Sequence, residues 1–178
     1  MFKESYIIAH RGIYDNRKIY ENTLEAFNLS IEKGYAIELD IRLTKDKKII
    51  VFHDNNTKRI TKKDNIVEES TYQELNNQNI VHIPLLPEVL KLVKGKVPLL
   101  IEIKPTIKMG EIETILMELL KSYNGKYAIQ SFSPKVLYWF KRNYPNVLRG
   151  QLARKYKKKQ SIFHKKSYFK QYATKCFY

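Results

Sequence analysis

A single thiol, Cys176, among 178 residues excludes an intrachain disulfide and any Cys-based zinc site. No stretch approaches the ~18 consecutive apolar residues of a membrane span. The opening apolar run, Tyr6-Ile7-Ile8-Ala9, is too short for the apolar core of a signal peptide. The expectation is a soluble cytoplasmic protein without a transmembrane segment. Acid is also missing from one part of the chain: Glu118 is the last acidic residue, and 15 basic residues follow it without a counter-charge. The formal net charge of +15 therefore lies wholly in the C-terminal third, because the basic and acidic residues before Lys121 balance. A uniformly basic surface would point to nucleic acid, but this distribution does not, and no nucleic-acid partner is expected.

What is present alternates between strand and helix patterns. Tyr6 to Ala9, Ala36 to Leu43, Lys48 to Phe52, Val97 to Lys104, Lys126 to Ser131 and Asn146 to Gly150 read as strands. Between them, Asn22 to Lys33 reads as a helix with Leu24, Phe27 and Ile31 on one face, Asn22 as N-cap and Gly34 at the C-terminal turn. Thr71 to Gln78, Leu86 to Val93, Glu111 to Ser122 and a segment from Ser133-Pro134 to about Arg142 are further helices. Strands separated by helices imply βαβ units and a parallel sheet.

Two strands break the usual rule that buried parallel strands are continuously apolar. Ile37, Leu39 and Ile41 alternate with Glu38, Asp40 and Arg42, and Ile101-Glu102-Ile103-Lys104 repeats the pattern. Side chains two apart share a face, and if that face points into a barrel these charges are inward and clustered. Such a cluster is costly unless it binds something. His10-Arg11-Gly12 and His53-Asp54 also fall at strand ends, and in a parallel barrel those ends form the active-site rim. Glu38, Asp40 and Glu102 offer hard oxygen ligands to one divalent cation, Mg²⁺ or Ca²⁺. Arg11 and Lys104 beside them suit a phosphate. His10 and His53 titrate near neutrality and suit general acid and base roles.

The ordered set His10-Arg11-Gly12, Glu21-Asn22-Thr23-Leu24-Glu25-Ala26-Phe27, Glu38-Leu39-Asp40, His53-Asp54, Ile101-Glu102-Ile103-Lys104 and Gln130-Ser131-Phe132 resembles the glycerophosphodiester phosphodiesterase family over roughly residues 6 to 150. The resemblance implies an α/β fold of the (β/α) TIM-barrel type. It also implies metal-dependent cleavage of a small-molecule glycerophosphodiester to glycerol 3-phosphate and an alcohol, through a cyclic phosphate. It makes Glu38, Asp40 and Glu102 the metal ligands, His10 and His53 the acid–base pair, and Arg11 and Lys104 the phosphate contacts. Glu21 and Gln130 are weaker candidates for the site, and Asp54 for orienting its loop. His82 reads as a surface residue, Trp139 and Phe140 as core, and Lys58-Arg59 and Lys62-Lys63 as solvated loop charge.

A complete barrel of this type needs ~250 residues, and about six of eight βα units are accounted for by Gly150. Residues 1–150 therefore read as a barrel-like domain, and 151–178 as a basic, aromatic tail that is truncated, frame-shifted, lipid- or nucleic-acid-binding, or an unusual closing element. Besides the hydrolase, three readings stay open: an inactive truncated remnant, a binder of anionic lipid or nucleic acid through the basic tail, and a phospholipase D-like lyase that stops at the cyclic phosphate. Head group and oligomeric state are not specified.

Overall fold

The computed structural model describes residues 7–77, 81–153 and 176–177. Five strands run parallel: β1 (Ile8–His10), β2 (Ala36–Leu43), β4 (Leu99–Ile103), β5 (Tyr127–Ser131) and β6 (Arg149–Gln151). They lie in the order β1-β2-β4-β5-β6, and β3 (Ile49–Val51) pairs with β2. A two-residue strand, β7 (Cys176–Phe177), pairs antiparallel with β6, so the tail returns to the sheet. The basic run and the possible binding role expected of the tail lie mostly outside the described residues.

One face of the sheet is apolar and carries the helices. Ile37, Leu39 and Ile41 of β2, Leu99, Ile101 and Ile103 of β4, and Ile129 of β5 are buried there. Phe27 of α1 (Leu24–Glu32), Leu86, Val89, Leu90 and Val93 of α4 (Leu86–Val93), Ile112 and Leu116 of α5 (Glu111–Leu120), and Val136 and Phe140 of α6 (Pro134–Asn143) join them in one core. The expected core residue Phe140 is fully buried, and Trp139 packs against its ring edge-on.

The expected strand Lys48 to Phe52 forms as β3, but it runs antiparallel to β2, with Ile41 opposite Val51 and Leu43 opposite Ile49. The physical reason is the connection. The short turn around Asp46 cannot span the dozen or more residues of a parallel crossover, and Thr44 N–H donates across it to the Lys48 carbonyl at 3.0 Å. Among the described residues the parallel strands therefore number five rather than six. β3 also separates two cores. Ile49 and Val51 face the main one, while Ile50 and Phe52 face a smaller one built from Ile60, Val67, Leu75 and Ile83. That second core supports the segment between β3 and α4, which contains α2 (Lys58–Thr61), a 3₁₀ turn (Val67–Glu69) and α3 (Tyr72–Asn76). Among these, α3 was expected, and it begins at Thr71 with a reciprocal Thr71–Glu74 cap.

The start of α1 differs from expectation. Its cap is Thr23, whose side chain accepts from the Ala26 N–H at 3.3 Å, whereas Asn22 stands outside the helix at φ +57°. Asparagine tolerates this left-handed conformation better than most residues, and its amide is turned into the site described next. Gly34 follows α1 at φ +67° as expected.

Candidate active site

Register assembles the site. Across the sheet, His10 pairs with Glu38 and Glu38 with Leu100, while Asp40 pairs with Glu102, Glu102 with Gln130, and Gln130 with Gly150. Adjacent strands lie about 4.8 Å apart, so Asp40, Glu102 and Gln130 form a row of neighbours on the face opposite the helices. Glu38 sits two residues before Asp40 on that same face. Ligand oxygens of Glu38, Asp40 and Glu102 all fall within 4.8 Å of one another, and all three residues are buried.

Three buried carboxylates so close together repel. Burial and the charges of Asp40 and Glu102 push the Glu38 carboxyl up to about 8. The local cations offset part of this. Lys104 Nζ lies 2.7 Å from Asp40 Oδ1 and also contacts Glu102, and Arg11 Nε lies 3.2 Å from Asp40 Oδ2. Gln130 Nε2 donates to Glu38 Oε1 at 3.0 Å, while its Oε1 is buried without a hydrogen-bond partner. An all-oxygen set with excess negative charge and one orphaned buried carbonyl oxygen fits a hard divalent cation.

The other expected residues join this cluster. Arg11 follows β1 at φ +59°, and its backbone N–H reaches Glu38 Oε2 at 3.1 Å. Gly12 permits this turn: at φ +82°, a Cβ on it would stand 2.8 Å from the backbone carbon and Cβ of Ala26. His10 ends β1, and partial burial together with the Arg11 guanidinium lowers its pKa. His53 reaches the rim from the opposite direction to that expected. β2 extends past the rim and β3 returns to it, so that Phe52 N–H donates to the Asp40 carbonyl at 2.9 Å. His53 Nδ1 lies 2.6 Å from Asp54 Oδ1, and Arg42 Nε donates to the His53 carbonyl at 2.9 Å.

Three residues have parts that sequence reasoning did not assign. Asn22 holds Asp40 twice: its Nδ2 donates to Asp40 Oδ2 at 3.0 Å, and its Oδ1 accepts from the Asp40 N–H at 3.3 Å. Glu21, a weaker candidate, is 7% exposed and accepts from Arg11 Nη1 at 2.8 Å. Burial works against its ionisation, but the hydrogen bonds from Arg59 and Arg11 overcome this and hold it at about 2. Arg59 is not solvated loop charge. It donates to both Glu21 oxygens and to Asp54. Local spacing carries no signal for that contact, because Glu21 and Arg59 meet only through the fold. His82 is exposed, as expected, beside Glu88. A cavity of about 530 Å³ has Arg42, Leu43, Asn55, Glu68 and Pro105 among its walls. Among the described residues, no helix is long and apolar enough to cross a membrane.

The sequence profile of the Glycerophosphoryl diester phosphodiesterase family matches residues 10–174. A glycerophosphodiester phosphodiesterase of Caldanaerobacter subterraneus is 34% identical over 164 residues, covering 84% of this chain and 67% of that protein. Among solved structures, the glycerophosphodiester phosphodiesterase of Thermotoga maritima superposes with a TM-score of 0.73 at 31% identity, covering 90% of this chain and 67% of that one. A phosphodiesterase of Oleispira antarctica, solved with the product sn-glycerol-3-phosphate, superposes with a TM-score of 0.72 at 26% identity, covering 81% and 64%. The chain spans about two thirds of the length of such relatives.

Proposed function

Because this chain belongs to the glycerophosphoryl diester phosphodiesterase family, we propose that its rim site hydrolyses glycerophosphodiesters to glycerol 3-phosphate and an alcohol. The observation that carries this reading is the convergence of three buried carboxylates with Lys104 and Arg11, flanked by His10 and His53. In this reading residues 1–150 form the barrel-like part and 151–178 the tail.

Glu38, Asp40 and Glu102 would hold one Mg²⁺ or Ca²⁺, which when bound withdraws charge from a phosphoryl oxygen. Arg11 and Lys104 bind the remaining phosphate oxygens and stabilise the charge that builds on them in the transition state. His10, whose pKa is lowered by desolvation and by the Arg11 guanidinium, suits the first base. It takes the proton of the glycerol hydroxyl next to the phosphate ester. That oxygen then attacks phosphorus, and a cyclic phosphate forms. The bond to the other alcohol breaks, and His53 gives its proton to the departing oxygen. In the second step His53 takes a proton from water, water oxygen opens the cyclic ester, and His10 returns a proton to the glycerol oxygen. The two histidines end in their starting states, as a catalytic cycle requires.

The test is a coupled assay for released glycerol 3-phosphate, with and without chelator. Wild type is expected to turn over only with Mg²⁺ or Ca²⁺, and His10→Ala and Glu102→Ala are each expected to lose turnover. Activity retained in both variants would overturn the site assignment, and accumulation of cyclic phosphate without its opening would replace the hydrolase by a lyase.

A further inference from the structure

Arg59 lies outside every element that was expected to carry chemistry, yet all its guanidinium nitrogens are engaged. Nη1 and Nη2 donate to the two Glu21 oxygens at 2.9 and 2.6 Å, and Nε donates to Asp54 Oδ2 at 2.6 Å. Each carboxylate it holds then reaches a different part of the rim. Glu21 Oε1 also accepts from Arg11 Nη1 at 2.8 Å, and Asp54 Oδ1 meets His53 Nδ1 at 2.6 Å. Arg11 in turn touches Asp40 and Glu38. One guanidinium thus joins two chains of alternating charge, one ending on His53 and the other on Arg11 and the carboxylates it touches.

The backbone beneath Arg59 is anchored for this task. Ile60 and Thr61, which follow it in α2, are buried, and Ile60 belongs to the second core. The Thr57 hydroxyl donates to the Lys63 carbonyl at 2.6 Å, and α2 ends at Lys62 with φ +66°. The segment between β3 and α4 therefore holds a guanidinium over two carboxylates contributed by other parts of the chain.

We propose that Arg59 is a positioning residue that orients His53 through Asp54 and Arg11 through Glu21. This role rests on the phosphodiesterase reading above. Asp54 accepts the Nδ1 proton of His53, which leaves Nε2 as the atom that exchanges protons with substrate. Without Arg59, Asp54 is free to rotate into water, and the imidazole loses both its fixed tautomer and its fixed ring plane. The groups facing His53 are Asp54, the Arg42 guanidinium on its carbonyl, and His10 across the site. None of these replaces the contact from Arg59 to Asp54. Lysine is no substitute, because an ammonium cannot present the planar fork that spans two carboxylates at once.

The test compares wild type with Arg59→Met and Arg59→Lys by ¹⁵N NMR of the His53 ring in the free protein, and by kcat and KM on glycerophosphocholine with Mg²⁺. Wild type is expected to keep a slowly exchanging Nδ1–H on His53. Both variants are expected to lose the Nδ1–H signal to exchange, with kcat falling about 10- to 100-fold and KM changing less than kcat. An Nδ1–H retained in a folded variant, with kcat within twofold of wild type, would overturn the role. If Arg59→Met does not fold, Arg59→Lys decides. If wild type turns over no glycerophosphodiester, the phosphodiesterase reading fails, and the ring spectra decide independently whether Arg59 sets the His53 tautomer.

Discussion

Asn22 grips Asp40 from two sides, donating through Nδ2 to its carboxylate and accepting through Oδ1 from its backbone N–H. One amide thereby fixes the χ angles of a buried carboxylate that must otherwise find its place among Glu38, Glu102 and two cations. The cost of this grip is a left-handed backbone at φ +57°.

Asn22→Gly keeps that backbone conformation and deletes the amide, whereas Asn22→Asp keeps the shape and adds a like charge beside Asp40. The glycine variant is expected to lose about 1–3 kcal/mol of stability, because buried polar groups of Asp40 go unpaired. It is also expected to bind divalent cation about 10- to 100-fold more weakly. Titration calorimetry and urea unfolding check both effects. Asn22→Asp is expected to raise the Glu38 pKa further and to be the less stable of the two at neutral pH.

Gly12→Ala tests the turn that delivers Arg11. A Cβ there meets the Ala26 backbone at 2.8 Å, and the residue stands at φ +82°. The left-handed penalty is roughly 1–2 kcal/mol, and the enforced shift of α1 adds about 1–3 kcal/mol. The unfolding free energy is expected to fall by that sum, which moves the denaturant midpoint lower, and Glu38 is expected to lose the Arg11 N–H as a partner.

Acid unfolding should register Glu21. Its folded pKa, about 2, lies below the ordinary glutamate value of 4.5. The stability it contributes is therefore complete above the unfolded value, and it is lost as pH falls from about 4.5 through 2. Because the Arg59 side chain is 44% exposed, solvent screens part of the pairing, and a contribution of about 1–3 kcal/mol is expected. Glu21→Gln should flatten the stability profile over that pH window and lower stability above it.

Divalent cation should stabilise the folded chain directly. At a hundredfold excess over its Kd, a ligand that binds only the native state contributes about 2.7 kcal/mol. Thermal unfolding is expected to shift upward with Mg²⁺ or Ca²⁺ in wild type. Asp40→Asn, which removes one charge from the centre of the cluster, should abolish the shift. An equal shift in that variant would place the cation elsewhere.

Most helices were readable because their apolar spacing matches the period of a helix packed on a sheet; Glu111–Leu120 and Leu86–Val93 appear almost to the residue. The inner-face carboxylates were readable for a similar reason, since a strand places Glu38 and Asp40 on one side whatever else the chain does. The direction of β3 was also within reach, because the connection through Asp46 is too short for a crossover. Asn22 was misread for a definite cause: an asparagine just before a helix is an ordinary N-cap, and local pattern cannot reveal that Thr23 takes that task while the amide turns to Asp40.

Residue order alone determined which groups are available, which face of each strand they occupy, and that strand ends carry the ionisable side chains, because these follow from the covalent geometry of an extended chain. Tertiary structure alone decided their partners. Glu21 and Arg59 are 38 residues apart, and Glu38 and Gln130 are 92 apart. Hydrogen bonds at such separations are set by sheet register and by the packing of the second core, neither of which leaves a trace in local spacing. The missing acid after Glu118 marks where the charge of the chain changes, but the paired carboxylates and guanidinium groups of the site lie before it, and only the fold brings them together.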